Sequence, residues 1–195
     1  MKVNFVKTFI PVKDFVAVEK VGNKMLVRFD AVKDADMDAY SCVEGSVSAS
    51  EYNEQEVRRE YEAWKQKWAE KALVLAKKAK IAEITAYDTS GKVNGFMLNG
   101  LLVWLDKATR VGLMNSTTIA KAAGQQTTTL WLGGLKLVVD CDKAIQLLSA
   151  LEMYALECFN VTASHKQAVS ELTSIEDVEV YDYKKGYPKM LEMSV

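Results

Sequence analysis

Apolar and polar positions change their period twice along the chain, and the changes divide it into three stretches. Over residues 1–47 short runs alternate, as in Lys24-Met25-Leu26-Val27-Arg28-Phe29-Asp30 after the turn signal Gly22-Asn23. That is the period-two pattern of half-buried strands. A small β-rich module of three or four strands is predicted, with Tyr40-Ser41-Cys42-Val43-Glu44 as the last. From Ser48 to Tyr87 neither Gly nor Pro occurs, and Val57, Tyr61, Trp64, Trp68, Ala72, Leu75, Ala79 and Ala82 recur at steps of three or four. Such a stripe is one face of a helix, so residues 48–87 are expected to form a long amphipathic helix opened by the capping box Ser48-x-x-Glu51. About 35 residues at roughly 1.5 Å each make a rod on the order of 50 Å, longer than one small domain usually covers. Two readings stay open. Either the β-rich module folds back on the stripe, or Val57, Tyr61, Trp64, Trp68 and Leu75 form a partner or oligomer interface.

Residues 88–195 are expected to form an α+β domain, because one pattern is written twice there. Met97-Leu98-Asn99-Gly100-Leu101-Leu102-Val103-Trp104-Leu105-Asp106 recurs as Trp131-Leu132-Gly133-Gly134-Leu135-Lys136-Leu137-Val138-Val139-Asp140. Each copy holds an apolar run, a pair of turn residues suited to positive φ, a second apolar run and an aspartate placed to cap a helix. The predicted order is ββα-ββα, with the two hairpins joined into one four-stranded antiparallel sheet and helices packed on it. Thr162 to His165 is expected to start a further helix carrying Val169 and Leu172, and Ser174-x-x-Asp177 a short last one. Tyr181 to Pro188 reads as an aromatic turn, which Pro188 keeps from continuing as helix.

Charge and composition narrow the function classes. With 25 basic and 26 acidic residues the net charge is −1, so no bulk field draws the chain to nucleic acid or to anionic membranes. Lys71, Lys77, Lys78, Lys80 and Lys92 form the one local basic face near the end of the long helix. The first residues lack a long apolar run and no stretch reaches the length of a membrane span. The expectation is a protein made in the cytoplasm of its host cell.

Little of the side-chain chemistry points to catalysis. The single histidine, His165, has no thiol or hydroxyl signature around it, and it is expected to face solvent. Cys42, Cys141 and Cys158 fall in no metal-binding spacing. Asp140-Cys141-Asp142 is read as a helix cap rather than a cation site, and Gly133-Gly134 as a hairpin turn rather than a phosphate cradle. No enzyme activity, cofactor or metal is expected.

One resemblance adds context. Lys80-Ile81-Ala82-Glu83-Ile84, Ala86-Tyr87-Asp88-Thr89-Ser90, Trp104-Leu105-Asp106-Lys107-Ala108-Thr109-Arg110, Leu151 to Thr162 and Gly186-Tyr187-Pro188 together resemble an uncharacterised domain recurring in phage and prophage proteins, often near tail and tail-fibre functions. The resemblance spans residues 77–191 and brings no catalytic residue with it. It implies a non-enzymatic tail or tail-fibre component or assembly factor acting through protein–protein contacts. Its expected partners are other phage tail proteins or further copies of itself, and its expected places are the bacterial host cytoplasm during synthesis and then the virion. The alternative is an intracellular phage-encoded module that binds a host protein or nucleic acid.

Overall fold

The structure, a computed structural model, describes residues 1–195. Strands β1 (Asn4–Pro11), β2 (Val18–Val21), β3 (Lys24–Lys33) and β4 (Ala39–Ser48) precede a 35-residue helix, α1 (Glu54–Asp88). Hairpin β5 (Gly95–Leu98) and β6 (Leu101–Trp104) leads into α2 (Lys107–Ala122), and hairpin β7 (Thr127–Leu132) and β8 (Leu135–Asp140) into α3 (Cys141–Glu171). A short α4 (Ile175–Val180) and strand β9 (Leu191–Met193) close the chain. Two compact units result, Met1–Ala72 and Leu73–Val195, and the division falls inside α1.

In the first unit the expected β-rich module is a four-stranded antiparallel sheet in the order β1-β4-β3-β2. Phe5, Val27, Val43 and Val47 bury against Val57 and Tyr61 of α1. Burying side chains of this size stabilises by about 1.5–3 kcal/mol each. The Tyr61 ring stacks on Phe29 at 4.1 Å between centroids, and its hydroxyl donates to Asp30 Oδ2 at 2.6 Å. The β-rich module therefore folds back on the first turns of the stripe.

Two details of the helix differ from expectation. Ser48 is the last residue of β4, not a cap, and its carbonyl takes the Glu51 N–H in a turn. The start is set by Asn53, whose Oδ1 accepts from the Glu56 N–H at 3.1 Å, because the β4 pairing with β3 holds Ser48 extended through its register with Lys24. The stripe also does not run straight on. Leu75, Ala79 and Ala82 are exposed, while Leu73, Ala76, Ile81 and Ile84 turn inward to Val169, Val178 and Leu172. Ile81 and Ile84 are large enough to take the core positions that Ala79 and Ala82 cannot fill.

The doubled pattern of the second unit is built as read. Asn99 and Gly100 have φ of 50° and 81°, Gly133 and Gly134 of 58° and 86°, so both hairpins turn with two consecutive left-handed residues. Phe96, Leu98, Val103 and Leu105 of one copy and Leu130, Leu132 and Val139 of the other point into a single core with Ala144, Leu148 and Leu151 of α3. Asp106 accepts from the Thr109 N–H at 2.9 Å, and Asp140 from those of Asp142 and Lys143 at 2.8 and 3.2 Å.

The four-stranded sheet expected from the two hairpins does not form. β7 and β8 pair only with each other, while the free edge of β5 is taken by β9, in parallel, giving the order β6-β5-β9. The hairpins instead meet through side chains: a Cβ on Gly133 would lie 3.1 Å from Val103 Cγ1. Nor does a new helix begin at Thr162, because α3 runs unbroken through it with no Gly or Pro to stop it.

Candidate functional site

A cleft of about 420 Å³ opens in the second unit where the end of α1, the β6–α2 junction and the middle of α3 meet. Its floor carries Arg110. Capping by Asp106 starts α2 and puts position 110 one turn inside it, so the guanidinium lies under the junction with 8% of the residue exposed. Nε donates to Glu152 Oε1 at 2.8 Å and Nη1 to the Leu105 carbonyl at 2.8 Å. Nη2 has no partner within the chain. A buried guanidinium keeps its charge only where carboxylate and carbonyl oxygens replace water, which Glu152 and Leu105 do here.

Around this pair the cleft is apolar. Trp104, Leu156 and Phe159 line it and are 42%, 49% and 61% exposed. Asp88, the last residue of α1, also lines it. Its Oδ1 accepts from Thr162 Oγ1 at 2.7 Å, and Thr162 lies 2.9 Å from the Tyr187 hydroxyl. Because a carboxylate only accepts, the Thr162 proton goes to Asp88 and Tyr187 donates to Thr162. Burial pushes the Tyr187 hydroxyl above its ordinary pKa, which keeps it a donor. Asp88 Oδ2 makes no hydrogen bond within the chain.

The same chain of contacts holds down the aromatic turn. Tyr183 and Tyr187 meet Tyr87 edge-on at 5.6 and 5.7 Å. His165, expected to face solvent, is held between the Tyr181 hydroxyl and the Lys185 carbonyl at 2.9 Å each. A carbonyl cannot donate, so Nε2 carries a proton. All three cysteines are buried and unpaired, and burial raises the Cys158 thiol above its ordinary pKa. No cluster of three metal-ligating side chains occurs. Asp142 pairs with Lys121.

Two lysines of the basic face are occupied inside the unit. Lys77 Nζ donates to the Ser170 carbonyl at 2.7 Å and Lys80 Nζ to the Glu179 carbonyl at 3.2 Å. These carbonyls lie in the last turns of α3 and α4, where a cation also meets the negative end of the helix dipole.

Of the proposed interface residues, Val57 and Tyr61 lie in the first unit's own core, 1% and 2% exposed. Trp64 is partly buried there and stacks toward Trp68 at 6.3 Å, with Lys7 Nζ 4.2 Å above the Trp68 ring. Trp68 and Leu75 are 46% and 57% exposed. The five residues therefore do not form one surface. Arg110 and Glu152 escaped the sequence reading. Nothing in either helix's own sequence marks the pair, whose members are 42 positions apart.

Residues 75–185 match the family described as a domain of unknown function, DUF4376. The chain belongs to this family. No curated protein and no solved structure matches it. The DUF4376 segment contains every residue that lines the cleft, from Asp88 to Phe159. It also holds both hairpins, α2 to α4 and the two helix-capping lysines, but not β9 or the sheet of the first unit.

Proposed function

We propose that this chain is a non-enzymatic component or assembly factor of a phage tail or tail fibre, acting through protein–protein contacts of its DUF4376 domain. The observation that carries the reading is the apolar wall of Trp104, Leu156 and Phe159, left exposed together in the one domain the family defines. Clustered exposed apolar side chains mark contact surfaces more often than isolated ones do. The phage setting rests on the resemblance of residues 77–191. Trp68 and Leu75 add exposed apolar surface on α1 for contact with further copies.

Mass spectrometry of purified particles from a strain encoding the chain tests the setting. The chain is expected in particles, or in tail assembly intermediates isolated from lysed cells; its absence from both overturns the reading. Light scattering tests self-association, with a defined multimer expected and dissociation expected in the double variant Trp68→Ser, Leu75→Ser.

A further inference from the structure

We infer that Asn99 is a site of spontaneous modification, where the side-chain amide is lost through a cyclic imide formed with the Gly100 nitrogen, and that the hold of β9 sets the rate. The inference goes beyond the protein-contact reading and uses none of the apolar wall. The chemistry favours a glycine after the asparagine, because a side chain there would hinder the attacking nitrogen. Two pairs satisfy it, Asn94-Gly95 and Asn99-Gly100. The fold sets them apart. Asn94 is half-buried with Nδ2 donating to the Asp88 carbonyl at 2.7 Å, and Gly95 is packed so closely that a Cβ on it would run into the Gly91 carbonyl oxygen. A ring closing there has no room. Asn99 and Gly100 are both exposed, and a Cβ on Gly100 would meet nothing within 4 Å. They also lie beyond Leu98↔Leu101, the last pair of the β5–β6 ladder, so closure breaks no rung of it.

The reaction needs only the chain and water. The Gly100 nitrogen attacks Asn99 Cγ and gives its proton to water; the Cγ–Nδ2 bond breaks, and Nδ2 takes a proton from water and leaves as ammonia. Water then opens the imide at either carbonyl, giving aspartate or, with the backbone rerouted through Cγ, isoaspartate. β9 and the residues after it restrain the first step. The Asn99 N–H donates to the Met193 carbonyl, and Asn99 Oδ1 accepts from the Val195 N–H, both at 3.0 Å. These bonds hold backbone and side-chain amide in one arrangement, whereas closure needs the amide to swing onto the Gly100 nitrogen. The product in turn loosens β9. Either acid puts a carboxylate into the shallow groove that Glu192 also lines, and like charges at neighbouring positions of paired strands repel. Isoaspartate also adds a backbone carbon to a turn of two residues, which shifts the pairing of Leu98 with Leu101.

Peptide mapping by mass spectrometry follows each asparagine in the full chain held at mildly alkaline pH, and enzymatic carboxyl methylation counts isoaspartate. Conversion at Asn99 is expected to be about tenfold or more faster than at Asn94, with isoaspartate among the products. Amides of residues 191–193 should exchange faster in the converted chain. Val195→Pro removes the N–H that holds Oδ1, at a residue 41% exposed and outside the core. It should speed conversion at Asn99 and leave Asn94 unchanged. The site is overturned if Asn94 converts as fast as Asn99, or if neither converts while a free peptide of residues 97–103 reacts to completion. The role of β9 is overturned if Val195→Pro converts no faster than the native chain. None of these results depends on whether the chain is found in particles, which tests the tail reading separately.

Discussion

Thr117 and Thr162 carry the same hydroxyl in opposite circumstances. Both are buried, but Thr117 Oγ1 has no hydrogen-bond partner, whereas Thr162 Oγ1 links Tyr187 to Asp88. A buried hydroxyl with no partner costs desolvation and returns nothing, so Thr117→Val should leave stability unchanged or raise it. Thr162→Val strips two groups of their partner at once and should cost about 1–3 kcal/mol. Urea unfolding of the two variants checks the pair, and equal midpoints would contradict it. A second residue-scale prediction concerns pH. The hydrogen bonds from Lys65 and then Tyr61 hold Asp30 below its ordinary pKa of 3.8. A depressed folded value means that this stabilisation is present above the ordinary value and is lost as pH falls through the folded one. The stability difference between the native chain and Asp30→Asn should thus shrink in that acid window. Tyr154 acts at the other end. Burial pushes it from 10.0 up to about 12, so stability should fall as pH rises between those values and the slope should be shallower in Tyr154→Phe.

Among elements, the second half of α1 works as a brace whose lysines close the ends of other helices. Replacing Lys77 or Lys80 by Met keeps most of the aliphatic stem and removes the cation from the last turn of α3 or α4. The expected loss is about 0.3–1 kcal/mol each, smaller at high salt, with faster amide exchange in those turns. Strand β9 performs a different task, covering the edge of β5 and receiving the Asn99 N–H at the Met193 carbonyl. Deleting residues 189–195 should lower the unfolding midpoint of the second unit and promote association through the bared β5 edge, visible as concentration-dependent scattering.

These two cases mark how far the elements could be read from sequence. Both hairpins, their turns and both aspartate caps were legible because each is decided within about ten residues by φ and by one side-chain oxygen. The partner of β5 was not, because Leu191-Glu192-Met193 is three residues long, too short for its apolar–polar–apolar alternation to mark a strand. The lysines were legible as a patch, but the carbonyls that receive them lie 93 and 99 positions away. The Arg110 cleft failed for the same reason: a lone arginine in α2 means nothing until Glu152, 42 positions on, comes to 2.8 Å.

On the scale of the whole molecule, α1 is one unbroken helix shared by two cores. Val57 and Tyr61 belong to the first, Ile84 to the second, and every residue from Lys65 to Lys71 is exposed. Those seven residues bury no side chain in either core and are held, beyond their own helical ladder, only by surface contacts such as Trp68 on Trp64 and Lys65 on Asp30, and short helices are marginal in water. Their amides should exchange fastest within the interior of α1, and Ala69→Gly should cost about 1 kcal/mol through helix propensity alone. The sharing has a consequence for cooperativity. In a calorimeter the free energy that keeps that ladder intact helps the two units to register as one transition, so residues 65–71 contribute to the coupling between two folding events. Glycine in this stretch should pull the two melting steps apart, and alanine at Lys67 or Lys71 should draw them together.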